Sequence, residues 1–89
     1  MKAIVTVTGK DKTGIIAGVS AKLSESGVNI LDISQTVLQD YFAMIMLVDL
    51  SGCSVSFSLL SESLSATGKE MFMDIRIMRE EIFDAMHRL

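Results

Sequence analysis

The residues of this chain best placed to do chemistry fall in one short stretch, Gly9-Lys10-Asp11-Lys12-Thr13-Gly14-Ile15-Ile16. Two glycines bracket a polar turn carrying both charge signs. An apolar, β-branched run (Ala3 to Thr8) precedes it and a segment with helical periodicity follows. A strand–turn–helix corner of this kind aims several backbone N–H groups at one spot, and the helix dipole favours an anion or a carboxylate there. Asp11 or Thr13 can alternatively accept a hydrogen bond from the first helical N–H groups and act as a cap.

The same stretch argues against several other chemistries. It is not a Walker loop, because no Gly-Lys-Ser/Thr follows at the required spacing. An acylphosphatase-like site needs an arginine here to grip phosphate, and the loop offers only Lys10 and Lys12, point charges without the guanidinium fork. A metal-carrying loop would show Cys-x-x-Cys; the single cysteine, Cys53, stands elsewhere with no histidine at ligand spacing. The corner therefore reads as a non-catalytic binding site, with no metal and no cofactor.

The elements that must position this corner follow from periodicity. Lys2 to Thr8 reads as a first strand with Ala3, Val5 and Val7 on one face. A helix follows over 14–26, with Ile15, Ile16, Val19, Leu23 and Ser26 as its buried stripe and Gly27 as its stop. Val28 to Leu38 and Tyr41 to Leu50 form a hairpin about Gln39-Asp40. The second of these is apolar on both faces and belongs inside the sheet. Residues 54–59 alternate like a strand, whereas Phe57, Leu60 and Leu64 fit a helix. A helix over 55–67, capped by Ser54 and closed by Gly68, supplies the crossover that the topology needs. Met71 to Arg79 is the fourth strand. Glu80 to Leu89 is a short last helix with Ile82, Phe83, Met86 and Leu89 on one face and His87-Arg88 near its end, where cations suit the dipole.

The resulting order, β-α-β-β-α-β plus a terminal helix, is the ferredoxin-like α+β plan: a four-stranded antiparallel sheet with two helices on one face. One domain is expected over 1–89, with a core of 1–79 and an appended helix over 80–89. Composition narrows the partners. The formal net charge of −3 gives no basic footprint for nucleic acid. No apolar run reaches the roughly 20 residues that a membrane helix needs. One cysteine fits a reducing, cytoplasmic setting. A hydrophobic share of 49% in 89 residues exceeds what so small a chain can bury, so a homodimer is expected.

Gly9-Lys10-Asp11-Lys12-Thr13-Gly14-Ile15, taken with Gly27-Val28-Asn29-Ile30 and Asp32-Ile33-Ser34-Gln35, resembles the ACT domain, in particular small stand-alone members related to the glycine cleavage system repressor type. The likeness is close over residues 2–50 and topological beyond. It implies a regulatory, homodimeric module that binds an amino acid or similar small ligand at a subunit interface. By the resemblance, the contacts map to Asp11, Gly14 and Ile15, and to Asn29, Ile30 and Leu31. Elementary chemistry agrees. N–H groups at Gly14 and Ile15 can take a carboxylate, Gly14 allows close approach, and Asn29 offers both a donor and an acceptor. The alternatives are a ligand-free protein-interaction module using the sheet face and terminal helix, and a small acylphosphatase-type hydrolase.

Overall fold

The computed structural model describes residues 1–86. Its elements are β1 (Lys2–Lys10), α1 (Ile15–Glu25), β2 (Asn29–Leu38), β3 (Tyr41–Asp49), α2 (Phe57–Met71), β4 (Met73–Arg79) and α3 (Glu80–Met86). The four strands form one sheet in the order β2-β3-β1-β4, and every neighbouring pair is antiparallel. This is the ferredoxin-like arrangement expected from the element order. His87, Arg88 and Leu89 lie outside the described residues, and with them the expected last turn of the terminal helix.

Alternation decides which residues enter the core. In β1, Ala3, Val5 and Val7 are fully buried; in β3, Phe42, Met44, Met46 and Val48 point the same way. Ile15, Val19 and Leu23 of α1 and Leu60 and Leu64 of α2 close over them. Side chains of this size each contribute about 1.5–3 kcal/mol on burial. Ile16, expected in the α1 stripe, instead stands 38% exposed beside the uncovered edge of the sheet. The two helices cover the central strands and leave β2 bare: every β2 residue except Ile30 is exposed. α3 packs against β1 and β4.

Both ends of α2 differ from expectation, the second because of how β4 packs. α2 starts at Phe57 with Ser56, not Ser54, as its cap, and it runs through Gly68 to Met71. Gly68 is buried inside the helix because β4 passes against it; a Cβ there would lie 2.6 Å from the Met73 carbonyl oxygen. The glycine serves close packing rather than helix termination. Termination falls to Phe72, which takes left-handed backbone (φ 58). Met71 therefore belongs to the helix, and β4 begins at Met73. By contrast, Gly27 does end α1. It has φ 76. The Gly27 N–H reaches the Ser24 carbonyl at 3.0 Å and the Val28 N–H reaches the Leu23 carbonyl at 3.0 Å. This pair of bonds is a Schellman closure.

Candidate functional site

At the corner, β1 extends to Lys10, and the chain turns through Asp11 to Gly14 before α1 begins at Ile15. Gly14 occupies the N-cap with left-handed backbone (φ 89), and no side chain caps the helix. Neither Asp11 nor Thr13 performs the capping role open to them from sequence. The first intrahelical bond runs from the Gly18 N–H to the Gly14 carbonyl at 2.9 Å. The N–H groups of Ile15, Ile16 and Ala17 precede it and have no intrahelical acceptor. Asp11 serves the corner through its backbone: its N–H donates to the Asp40 carbonyl at 2.7 Å, pinning the corner to the β2–β3 turn. Lys10 adds an exposed ion pair to Asp40 at 3.4 Å, which in water contributes under about 1 kcal/mol.

A cleft of about 320 Å³ opens at this corner, with Asp11, Lys12, Gly14 and Ile15 on one wall and Gln35, Val37 and Phe42 on the other. One wall is thus the start of α1, and the other carries an amide and apolar side chains. The Lys12 ammonium lies 5.0 Å from the centre of the exposed Phe72 ring. Among the described residues, no group of three or more His, Cys, Asp or Glu could hold a metal ion.

The sequence-derived site residues fall at two places. Asp11, Gly14 and Ile15 line the corner cleft. Asn29, Ile30 and Leu31 begin β2, where Asn29 pairs with Asp49 and a register shift follows Ile30. β2 then runs the length of the sheet to Leu38, which pairs with Tyr41. At about 3.3 Å per residue, the two groups in one chain stand roughly 30 Å apart. The structure therefore does not bring Asn29 to the corner within one copy. Gln35 and Val37 are there instead. Sequence reasoning assigned them no role, yet the hairpin topology held the signal: antiparallel pairing places the end of β2 beside the end of β1.

Opposite Asn29, Asp49 ties down the turn that follows β3. Its Oδ1 accepts hydrogen bonds from the Ser51 N–H at 3.0 Å and the Ser51 hydroxyl at 2.7 Å. The N-terminal ammonium lies 3.8 Å away. The Ser51 hydrogen bonds, first from the hydroxyl and then from the backbone, hold the Asp49 carboxyl below the ordinary carboxylate pKa.

Comparison with known proteins adds to this geometry. The sequence model of the ACT domain matches residues 2–78. A UPF0237 protein of Clostridium acetobutylicum is 56% identical over 89 residues, covering 100% of both chains. The structure of an ACT domain protein from Streptococcus pneumoniae superposes with a TM-score of 0.83 at 49% identity, covering 98% of each chain. A structure assigned as a glycine cleavage system transcriptional repressor shares the fold, with a TM-score of 0.73 at 20% identity over 86% of this chain and 44% of that one.

Proposed function

The chain belongs to the ACT domain family, and from that premise we propose that it is a non-catalytic regulatory module that binds an amino acid or similar small ligand between two copies. The observation that carries this reading is the start of α1, which has no side-chain cap: Gly14, Ile15, Ile16 and Ala17 line a cleft whose far wall includes Gln35 and Val37 of the edge strand β2. A carboxylate is the natural partner for that helix start, since a helix N-terminus concentrates both donors and positive dipole.

The edge supplies the partner. β2 exposes Ile33 (40%) and Val37 (50%) on the helix side of the sheet and Leu38 (71%) on the other. An edge strand with this much apolar surface favours pairing with another strand. Two β2 strands related by a two-fold axis run antiparallel. A register centred near Ser34 sets Leu31 of one copy against Val37 of the other. Asn29, Ile30 and Leu31 then approach the other copy's corner, and the two groups 30 Å apart in one chain (about nine residue steps) become two halves of one site. On this reading the dimer joins two sheets into eight strands, and the lone Cys53 fits a cytoplasmic protein.

A thermal-shift series with amino acids tests the proposal. Ligand at about 100 times its dissociation constant stabilises by about 2.7 kcal/mol, roughly ten degrees or more in a domain of this size. Absence of any shift with amino acids, nucleobases or small organic acids at millimolar concentration sinks the sensing claim. Sedimentation tests the dimer: Ile33→Lys should yield monomers, and a monomeric wild type at micromolar concentration would contradict the interface. A second reading, a ligand-free protein-interaction module, is favoured by the exposure of Ile82 and Met86 on α3. Loss of a captured partner on deleting α3, with no ligand-induced shift, would select it. Turnover of an acyl phosphate would instead select the hydrolase alternative.

A further inference from the structure

A second cleft, of about 550 Å³, lies at the opposite edge of the sheet between α2, β4 and the start of α3. Phe57, Ile77 and Ile82 give it apolar walls, Ser61 a hydroxyl, and Glu62 a charge; Arg79 also lines it. Arg79 is the last residue of β4 and pairs with Ala3, so its side chain leaves the sheet on the face covered by the helices. Its guanidinium carbon lies over the Phe57 ring, 4.7 Å from its centre, within cation–π range. Arg79 also borders a smaller neighbouring cleft beside Met1, Leu50 and Cys53. Phe57 lines both clefts as well, so the stacked pair stands between them.

Among the described residues this guanidinium has no ion-pair partner, and the Arg79 Nε is buried with no hydrogen-bond acceptor. A permanently charged group with an unmet buried donor is costly, because its desolvation is not offset by a bond. The stacking on Phe57 keeps it in place, its fork preorganised for a planar anion.

We propose that this cleft binds a small monocarboxylic acid with an apolar body, its carboxylate held by the Arg79 guanidinium and its body against Ile77 and Ile82. The planar fork matches a carboxylate. The volume suits a small molecule. Glu62 at the rim repels multiply charged anions, so phosphate is disfavoured by charge. The site is separate from the α1 corner and stands whether or not the corner binds a ligand.

The test is a titration of the full-length chain with isovalerate, and with inorganic phosphate as the second arm, followed by the arginine Nε–H resonances in nitrogen-15 NMR. The Arg79 resonance is identified by its absence in Arg79→Lys. The expected result is a saturable shift of that resonance with isovalerate, no saturable shift with phosphate, and an unmoved Gly14 amide. Glu62→Gln alters an exposed side chain, so the fold is kept. Removing its charge should tighten isovalerate roughly two- to fivefold, the size of one screened surface interaction. No saturable movement of Arg79 with isovalerate at tens of millimolar, in either the wild type or Glu62→Gln, would overturn the proposal. So would tighter binding of phosphate than of isovalerate. Because Gly14 and Arg79 report separately, failure here is distinguishable from failure at the corner.

Discussion

The two long helices enter the fold in opposite ways. α2 is closed at its start: the Ser56 hydroxyl accepts the Leu59 N–H at 3.2 Å. α1 is open at its start, with a left-handed glycine as N-cap and no side-chain acceptor. Both helices bury a stripe on the same sheet, so the difference is not one of packing. A serine cap contributes about 1 kcal/mol to the helix it closes. α1 forgoes that stabilisation. α1 is compensated at its other end, where Gly27 and Val28 satisfy two of its last carbonyls. The contrast between the two helices lies in their starts alone, one closed by a serine hydroxyl and the other by none.

Substitutions can break this contrast, and the largest effect should come from the closed end of α1. Gly27→Val puts a β-branched residue at φ 76, with its Cβ against the Gly52 carbonyl oxygen. Backbone strain and the clash together should cost about 3 kcal/mol or more, read as a lowered urea midpoint. Next in size is occupancy of the open end: the ligand-induced stabilisation of about 2.7 kcal/mol should disappear in Gly14→Val, whose side chain would occupy the approach to the N–H groups. A Cβ at Gly14 meets nothing within 4 Å. The loss of stability in the unliganded variant should therefore stay near the strain of left-handed backbone alone, about 1–2 kcal/mol.

A paired measurement sharpens the contrast between the two helix starts. Ser56→Ala should destabilise by about 1 kcal/mol, whereas Thr13→Ala, which removes no cap, should stay within about 0.5 kcal/mol of wild type in the same denaturation assay. Equal losses would mean that Thr13 closes α1 after all. The smallest effect concerns pH at the Asn29 end. The Asp49 carboxyl has a lowered folded-state pKa, so its contribution is present above the unfolded value near 3.9 and is lost as pH falls through the folded value. Asp49→Asn should flatten the stability profile below about pH 4 without changing its neutral-pH shape, as followed by acid titration of the circular dichroism signal.

Much of this architecture was legible in the chain because it is local. Alternation in Ala3, Val5 and Val7 places β1 in the core, and the helical spacing of Ile15, Val19 and Leu23 places α1 over it; β3 reads as apolar on both faces, but only its Phe42, Met44, Met46 and Val48 face is buried, because the helices cover one side of the sheet. The Gly14 corner and the Gly27 stop were readable because both glycines serve backbone conformation (φ 89 and φ 76), which neighbouring residues reveal. Gly68 was misread as a helix end for the opposite reason. Its purpose is to let β4 approach, and no local pattern reports a strand that arrives from later in the chain.

The candidate site divides along the same line. Residue types and spacing alone determined that a glycine-bracketed turn joins β1 to α1, that Asn29 opens β2, and that a βαββαβ sheet carries both. Only the tertiary structure decided that these two groups lie at opposite ends of one strand, that Gln35 and Val37 form the far wall of the corner, and that Arg79 stacks on Phe57 beside a cleft at the other edge. The physical reason is that hydrogen-bonded helices and alternating strands are set by interactions between near neighbours. Which ends meet, and which charges are left without a partner, depends on contacts between residues far apart in sequence.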